Sequence, residues 1–281
     1  MKKYWRSIMQ VVIWSDPKYA SGQTTLAILV ATMIACRKGY KTFLTSSLIK
    51  DESLEHYSLK TFERELDQFI GESNIEGVIR RIKNGKLTKD MIKDYCFSLL
   101  AHSNLDMLQS GKTLPDHEEY YHQFGYLMTL ANAYYNISVI DCDLALDHPL
   151  TQLLLKTTDV LVVVGDPNLY RLERLSHSCE EAKDLLTSIP KVFIMNKWEK
   201  GILKPFKKKI VGVDPVFIPY FPSLIEQANQ NNLVDYVLRL SYSKKNYDAH
   251  VFLKSIEKAV ERILTLGEEK ITNGTTTEFH L

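Results

Sequence analysis

Short, mostly apolar runs, many rich in β-branched residues, recur along this chain, separated by longer stretches with helical spacing. The runs are Val11 to Trp14, Thr42 to Thr45, Leu105 to Leu108, Ile137 to Asp141, Val160 to Val164, Val192 to Met195 and Val216 to Ile218. Each is short enough for a buried strand. Val160-Leu161-Val162-Val163-Val164 is apolar at every position, as a strand covered on both faces must be. Strands alternating with helices predict an α/β fold: a mostly parallel, twisted sheet with helices on both faces. No internal repeat and no long linker interrupts the pattern, so one domain is expected over residues 1–267, with a disordered tail over 268–281.

From Ser53 to His102 the pattern turns polar and helical. Glu63 to Ile70 and Ile75 to Ile82 carry apolar residues at helical spacing, and Thr88 is placed to cap a further helix. This segment reads as a helical insertion after the second strand. A last helix is expected from about Asp248 to Leu266. Its apolar stripe is Val251, Phe252, Ile256, Val260, Ile263 and Leu264, with Lys254, Lys258 and Arg262 on or beside the opposite face.

Composition narrows the class. The 281 residues are 45% apolar and 25% charged, with a formal net charge of +1. That is ordinary globular usage, and it argues against a grip on nucleic acid by the whole surface. Lys204, Lys207, Lys208 and Lys209 form a local basic run, which reads as a solvated face rather than a DNA or lipid patch. Cys36, Cys96, Cys142 and Cys179 are far apart and show no metal-ligand spacing, so they read as reduced thiols of a cytoplasmic protein. The basic start, Met1 to Arg6, precedes an apolar run too short for a signal peptide. No stretch of 18 apolar residues exists to span a membrane.

The chemistry concentrates in the loop Ser15-Asp16-Pro17-Lys18-Tyr19-Ala20-Ser21-Gly22-Gln23-Thr24-Thr25, between the first strand and an apolar helix. A phosphate-binding loop follows G-x-x-x-x-G-K-[ST]: backbone N–H groups cradle phosphate, lysine reaches its oxygens and the hydroxyl binds Mg²⁺. Here Pro17 stands at the first glycine and Gly22 at the second. Gln23 replaces the lysine, and Thr24 keeps the hydroxyl.

On this loop the chain resembles the ParA/MinD family of deviant Walker ATPases, whose loop reads K-G-G-x-G-K-T-T. Lys18, Gly22, Thr24 and Thr25 match it, while Tyr19 and Ala20 replace the two glycines. The resemblance makes Lys18 the signature lysine that reaches the partner subunit's nucleotide. Four other blocks extend it over nearly the whole chain. Tyr135 to Asp141 resembles the Walker B strand, which implies that Asp141 holds Mg²⁺ through water. The family's Pro and Gly after that Asp are absent from Cys142 to Asp147. Lys41 to Ser47 resembles the second strand, but Thr45, Ser46 and Ser47 replace its acidic pair. Asp51 and Glu52 lie nearby and could substitute, with Asp51 as the candidate catalytic group. Lys191 to Lys197 resembles the strand ending in an Asn that reads the adenine edge, which implies that role for Asn196. Val216 to Ala228 resembles the I-P-y-d-p block, which places Pro219 and Tyr220 against the base.

The resemblance therefore implies nucleotide contacts from Lys18, Gly22, Gln23, Thr24, Thr25, Asn196, Pro219 and Tyr220. The metal would be held by Thr24 and Asp141, and the cofactors would be ATP and Mg²⁺. It also implies a homodimer and a protein partner in a larger assembly. The departures fall on the catalytic parts, so the expected protein is a degenerate member that positions or scaffolds, with weak or absent ATP hydrolysis. Its altered loop and switches most resemble the TadZ/CpaE branch. An active ATPase using Lys18 and Asp51, and a DNA-partitioning protein using Lys204 to Lys209, are the alternatives. MinD-type relatives use a C-terminal amphipathic helix at the membrane surface; here a helix packed on the sheet is the favoured reading.

Overall fold

The computed structural model describes residues 8–47, 52–60, 74–100, 104–111, 117–199, 201, 212–242 and 247–273. Eight strands form one sheet: β1 (Met9–Trp14), β2 (Thr42–Ser46), β3 (Phe97–Ser98), β4 (Leu105–Met107), β5 (Ile137–Cys142), β6 (Val160–Gly165), β7 (Lys191–Trp198) and β8 (Pro215–Pro219). Their spatial order is β3-β4-β2-β5-β1-β6-β7-β8, and only the pairing of β3 with β4 is antiparallel. The α/β fold read from the sequence is thus present, and all seven expected strands are in it. The two-residue β3 was not expected, since two residues carry no period.

Alternate residues of each strand face opposite sides, and both sides are covered. Val11 and Ile13 belong to one apolar cluster with Val160, Val162 and Val164; Val12 and Trp14 belong to the other with Leu161 and Val163. The first face is covered by α1 (Gln23–Met33), α2 (Ser53–Ser58), α8 (Ser223–Asn229), α9 (Leu233–Tyr242) and α10 (Tyr247–Asn273). The second is covered by α3 (Ile75–Lys83), α4 (His117–Tyr134), α5 (Pro149–Thr157), α6 (Leu169–Glu181) and α7 (Lys183–Leu186). This two-sided cover is why the strand runs are predominantly apolar. α1 is apolar nearly all round because it lies between the sheet and α9 and α10. It widens into a π-helical turn at Ile34–Lys38 and ends at Gly39, whose φ of 69° suits a residue without Cβ.

The expected insertion region contains α2, α3, a 3₁₀ turn at Lys89–Tyr95 and β3. Thr88 stands at the start of that turn, but its side chain makes no capping hydrogen bond. The helix expected at Glu63 to Ile70 lies outside the described residues, as do Asp51, the Lys204 to Lys209 run and the tail from 274.

Two readings of the last helix need correction. α10 continues to Asn273, so the boundary expected at 267/268 falls inside it. The physical reason is contact on its final turns. Gly267 lies so close to the Met9 side chain that a Cβ there would collide, and Lys270 Nζ donates to Thr158 O at 2.6 Å. Val251 is 40% exposed and does not belong to the buried stripe, which runs through Phe252, Ile256, Val260, Ile263 and Leu264. That stripe packs on the sheet, with β8 its main contact. No described helix is long and apolar enough to cross a membrane.

Candidate functional site

The loop after β1 begins at the sheet's centre, where Ile13 and Trp14 are in register with Asp141 and Cys142 of β5. It is held by its own polar groups. Asp16 Oδ1 accepts the Lys18 N–H at 3.0 Å, Asp16 O accepts the Tyr19 N–H at 3.0 Å, and Tyr19 O accepts the Ser21 N–H at 2.8 Å. Three N–H groups are thereby turned onto the loop itself rather than toward a ligand. Tyr19 leans sideways, edge-on to Tyr170 and beneath the Arg171 guanidinium, which pairs with Asp166.

Gly22 starts α1 with φ 83°, a left-handed conformation that favours glycine. Space demands glycine as well, since a Cβ would lie 2.6 Å from Asn196 Nδ2. Beyond it, the N–H groups of Gln23, Thr24 and Thr25 have no acceptor among the described residues, as the first turn of a helix leaves them. Such groups, at the positive end of a helix dipole, have the chemistry to accept an anion.

Gln23 points away from that site. Its Nε2 donates to Asp141 Oδ1 at 2.5 Å, and both side chains are buried. The residue in the phosphate-lysine position is therefore committed to the residue in the metal position. Gln23 Oε1 is buried without a hydrogen-bond partner among the described residues. Neutral groups stand beside Asp141. Ser47 N–H donates to Asp141 O at 2.9 Å, Thr45 and Ser46 are buried on β2, and Cys142 follows on β5. Burial pushes the Cys142 thiol up from its ordinary value, with the Thr151 hydroxyl pulling it back in part. The residues fit a phosphate at the start of α1. They fit Mg²⁺ between Thr24 and Asp141 only if Gln23 releases the carboxylate. Among the described residues no group of three or more His, Cys, Asp or Glu side chains gathers as a metal site.

On the other side of Gly22 the site is open. β7 breaks register with β8 between Met195 and Trp198, and Lys197 has a φ of 54°. This bulge turns two successive side chains onto the loop. Asn196 Nδ2 donates to Ser21 O at 2.8 Å, and Lys197 Nζ donates to Ala20 O at 2.9 Å. A cavity of about 250 Å³ follows, lined by Thr25, Asn196, Lys197, Pro219, Tyr220 and Ile225 among others. Its floor is apolar. Phe221 is stacked on Phe252 at 5.0 Å and on Tyr236 at 6.5 Å. The structure thus brings Gly22, Thr25, Asn196, Pro219 and Tyr220 together, as the sequence placed them.

Lys18 is not part of this group. Its side chain is exposed and lines a separate cleft of about 530 Å³ with Asp16, Asp147, Gln152 and Arg174. Sequence reading missed Lys197, although it lies in a block already singled out. The alternation of a regular strand would place Asn196 and Lys197 on opposite faces, and only the bulge puts both on the loop.

The fold has well-matched counterparts among solved structures. A ParA family ATPase from Chlorobium tepidum superposes with a TM-score of 0.68 over 91% of this chain and 99% of its own, at 17% identity. MinD from Pyrococcus horikoshii with Mg-ADP gives 0.62 over 89% and 95%, at 15% identity. A putative plasmid partition protein from Borrelia burgdorferi bound to AMPPNP gives 0.61 over 93% and 99%, at 17% identity. No protein-family model and no curated protein matches the sequence. The chain therefore has the α/β fold of ParA- and MinD-type ATPases.

Proposed function

We propose that this protein is a degenerate ParA/MinD-type protein, TadZ/CpaE-like in its altered loop and switches. In this reading it binds ATP with Mg²⁺, hydrolyses it slowly or not at all, and acts as a dimerising scaffold or positioning factor in a larger assembly. One observation carries the reading: the buried hydrogen bond from Gln23 Nε2 to Asp141 Oδ1. A phosphate-loop lysine is a fixed charge on the transferring phosphoryl group. Losing one such group costs about 10²–10³-fold in rate. Gln23 brings no charge and holds the carboxylate that would organise the metal. The acidic pair after β2 is replaced by Thr45, Ser46 and Ser47, and a neutral hydroxyl does not orient water as a carboxylate does.

Retention of the opposite side supports binding. Asn196, Pro219 and Tyr220 line one cavity with Gly22 and with Thr25 of the first turn of α1. Neighbours of the same fold were solved with Mg-ADP and with AMPPNP, and one as a MinC:MinD complex from Aquifex aeolicus. Residues 1–273 would act as one unit, with Lys18 reaching toward a second copy.

Phosphate release and equilibrium binding of ATP, measured on the same preparation, test the reading. The expected outcome is saturable binding with turnover near background. A normal turnover rate that Asp141→Ala abolishes would overturn it. Sedimentation with and without ATP then reports whether the dimer follows the nucleotide.

A further inference from the structure

Loss of the loop lysine leaves a question of charge, since ATP brings several negative charges to a site whose own loop residue is neutral. The structure holds a second cation at the loop. Lys197 is one of only two non-glycine residues with positive φ among the described residues. Such a conformation costs about 1 kcal/mol or more and persists where the surroundings impose it. Here it coincides with the register break in β7, and bulges of this kind re-aim side chains beside functional sites. The result is specific. Lys197 Nζ sits 2.9 Å from Ala20 O, within the loop, and Lys197 Cε lies 3.5 Å from where a Gly22 Cβ would be. An ammonium has three donors, and the Ala20 carbonyl accepts one. The stem lines the cavity that opens beside Thr25 and Tyr220.

We propose that Lys197 is the cation of this nucleotide site, its ammonium held at the loop by Ala20 O to meet the phosphate chain in place of the missing loop lysine. The inference rests on the nucleotide-binding reading above. It makes the ligand an anionic nucleotide rather than a nucleoside. It also separates binding from catalysis: a lysine on β7 neutralises phosphate from the base side, while the Asp141 side stays closed by Gln23.

The test is a set of titrations on the full chain with ATP, ADP and adenosine, each with Mg²⁺ present. Lys197→Met keeps the stem and removes the charge, Lys197→Arg keeps the charge, and Lys197→Gly keeps the backbone conformation without the stem. Thermal midpoints establish that each variant folds. Removing one charge-assisted contact should weaken ATP and ADP about tenfold in Lys197→Met. Adenosine should change by less than about twofold, and Lys197→Arg should restore most of the loss. Equal losses for adenosine and ATP would make Lys197 a wall of the base cavity only and overturn the proposal. Unchanged ATP affinity in Lys197→Met, with the wild type binding, would overturn it and leave the nucleotide reading standing. A wild type that binds no nucleotide would overturn both. Should Lys197→Met not fold, the ATP-to-adenosine ratio in Lys197→Gly decides in the same way.

Discussion

The two sides of Gly22 are built in opposite ways. Toward β7 and β8 the molecule is open, with a cavity lined by Asn196, Lys197, Pro219 and Tyr220 over a floor of stacked Phe221 and Phe252. Toward β5 and β2 it is closed on itself, with Gln23 bonded to Asp141 and neutral hydroxyls around them. A fold that had simply decayed would be expected to loosen on both sides. Instead the closed side holds a buried contact between Gln23 and Asp141, and the open side holds a shaped cavity. In the proposed reading, the contrast assigns nucleotide binding to the open side and the loss of hydrolysis to the closed one.

The largest expected effect is on the open side. Phe252 is buried and carries the ring under the cavity floor, so Phe252→Ala should cost about 3–5 kcal/mol in denaturant unfolding. Nucleotide affinity should fall with it. A loss below about 1 kcal/mol would show that the stacked floor is not structural. On the closed side, Gln23→Ala removes the donor to a buried carboxylate and should destabilise by about 1–3 kcal/mol. A neutral or stabilising result would mean that the contact is tolerated rather than used.

Gln23→Lys sharpens the contrast further. An ammonium beside Asp141 and the start of α1 should tighten ATP about tenfold, which is about 1.4 kcal/mol. Turnover should remain slow, because the Thr45-Ser46-Ser47 positions still lack a carboxylate. Fast hydrolysis in this single variant would show that charge alone was missing.

The smallest effect lies at the far end of the sheet, outside both sides. Burial holds the Asp159 carboxyl above its ordinary value of 3.8, against the opposing pull of the Gln10 N–H and Lys270. The folded protein therefore keeps this proton to higher pH than the unfolded chain. Stability from this group is full below the unfolded value and is lost as pH rises through the folded one. Asp159→Asn should flatten that dependence by less than about 1 kcal/mol in thermal midpoints taken across the acidic range. Nucleotide affinity should not move.

Much of the fold was legible because its strands are covered on both faces. Val160 to Val164 can be apolar at every position only in such a sheet, and the run lengths separate strand from helix. The short β3 was not legible, and neither was the end of α10. Its last turns are ordered by Met9 and Thr158, residues remote in sequence. In the site, Gly22 and Asn196 could be read from position in a motif. Lys197 could not, because nothing in a strand sequence announces a bulge.

By itself, the sequence determined the residue types available to the loop. There is no lysine at position 23, a hydroxyl at 24, a carboxylate at 141 and an Asn-Lys pair after an apolar run. It also determined the layered α/β architecture, since periodicity records which faces are buried. Tertiary structure decided where those groups point. Gln23 is turned to Asp141 because β1 and β5 are adjacent and parallel, which brings the two within hydrogen-bond reach. Lys197 is turned to Ala20 because a register break in β7 rotates it out of the strand's alternation. Both outcomes depend on contacts between segments more than 100 residues apart, and no local pattern encodes those.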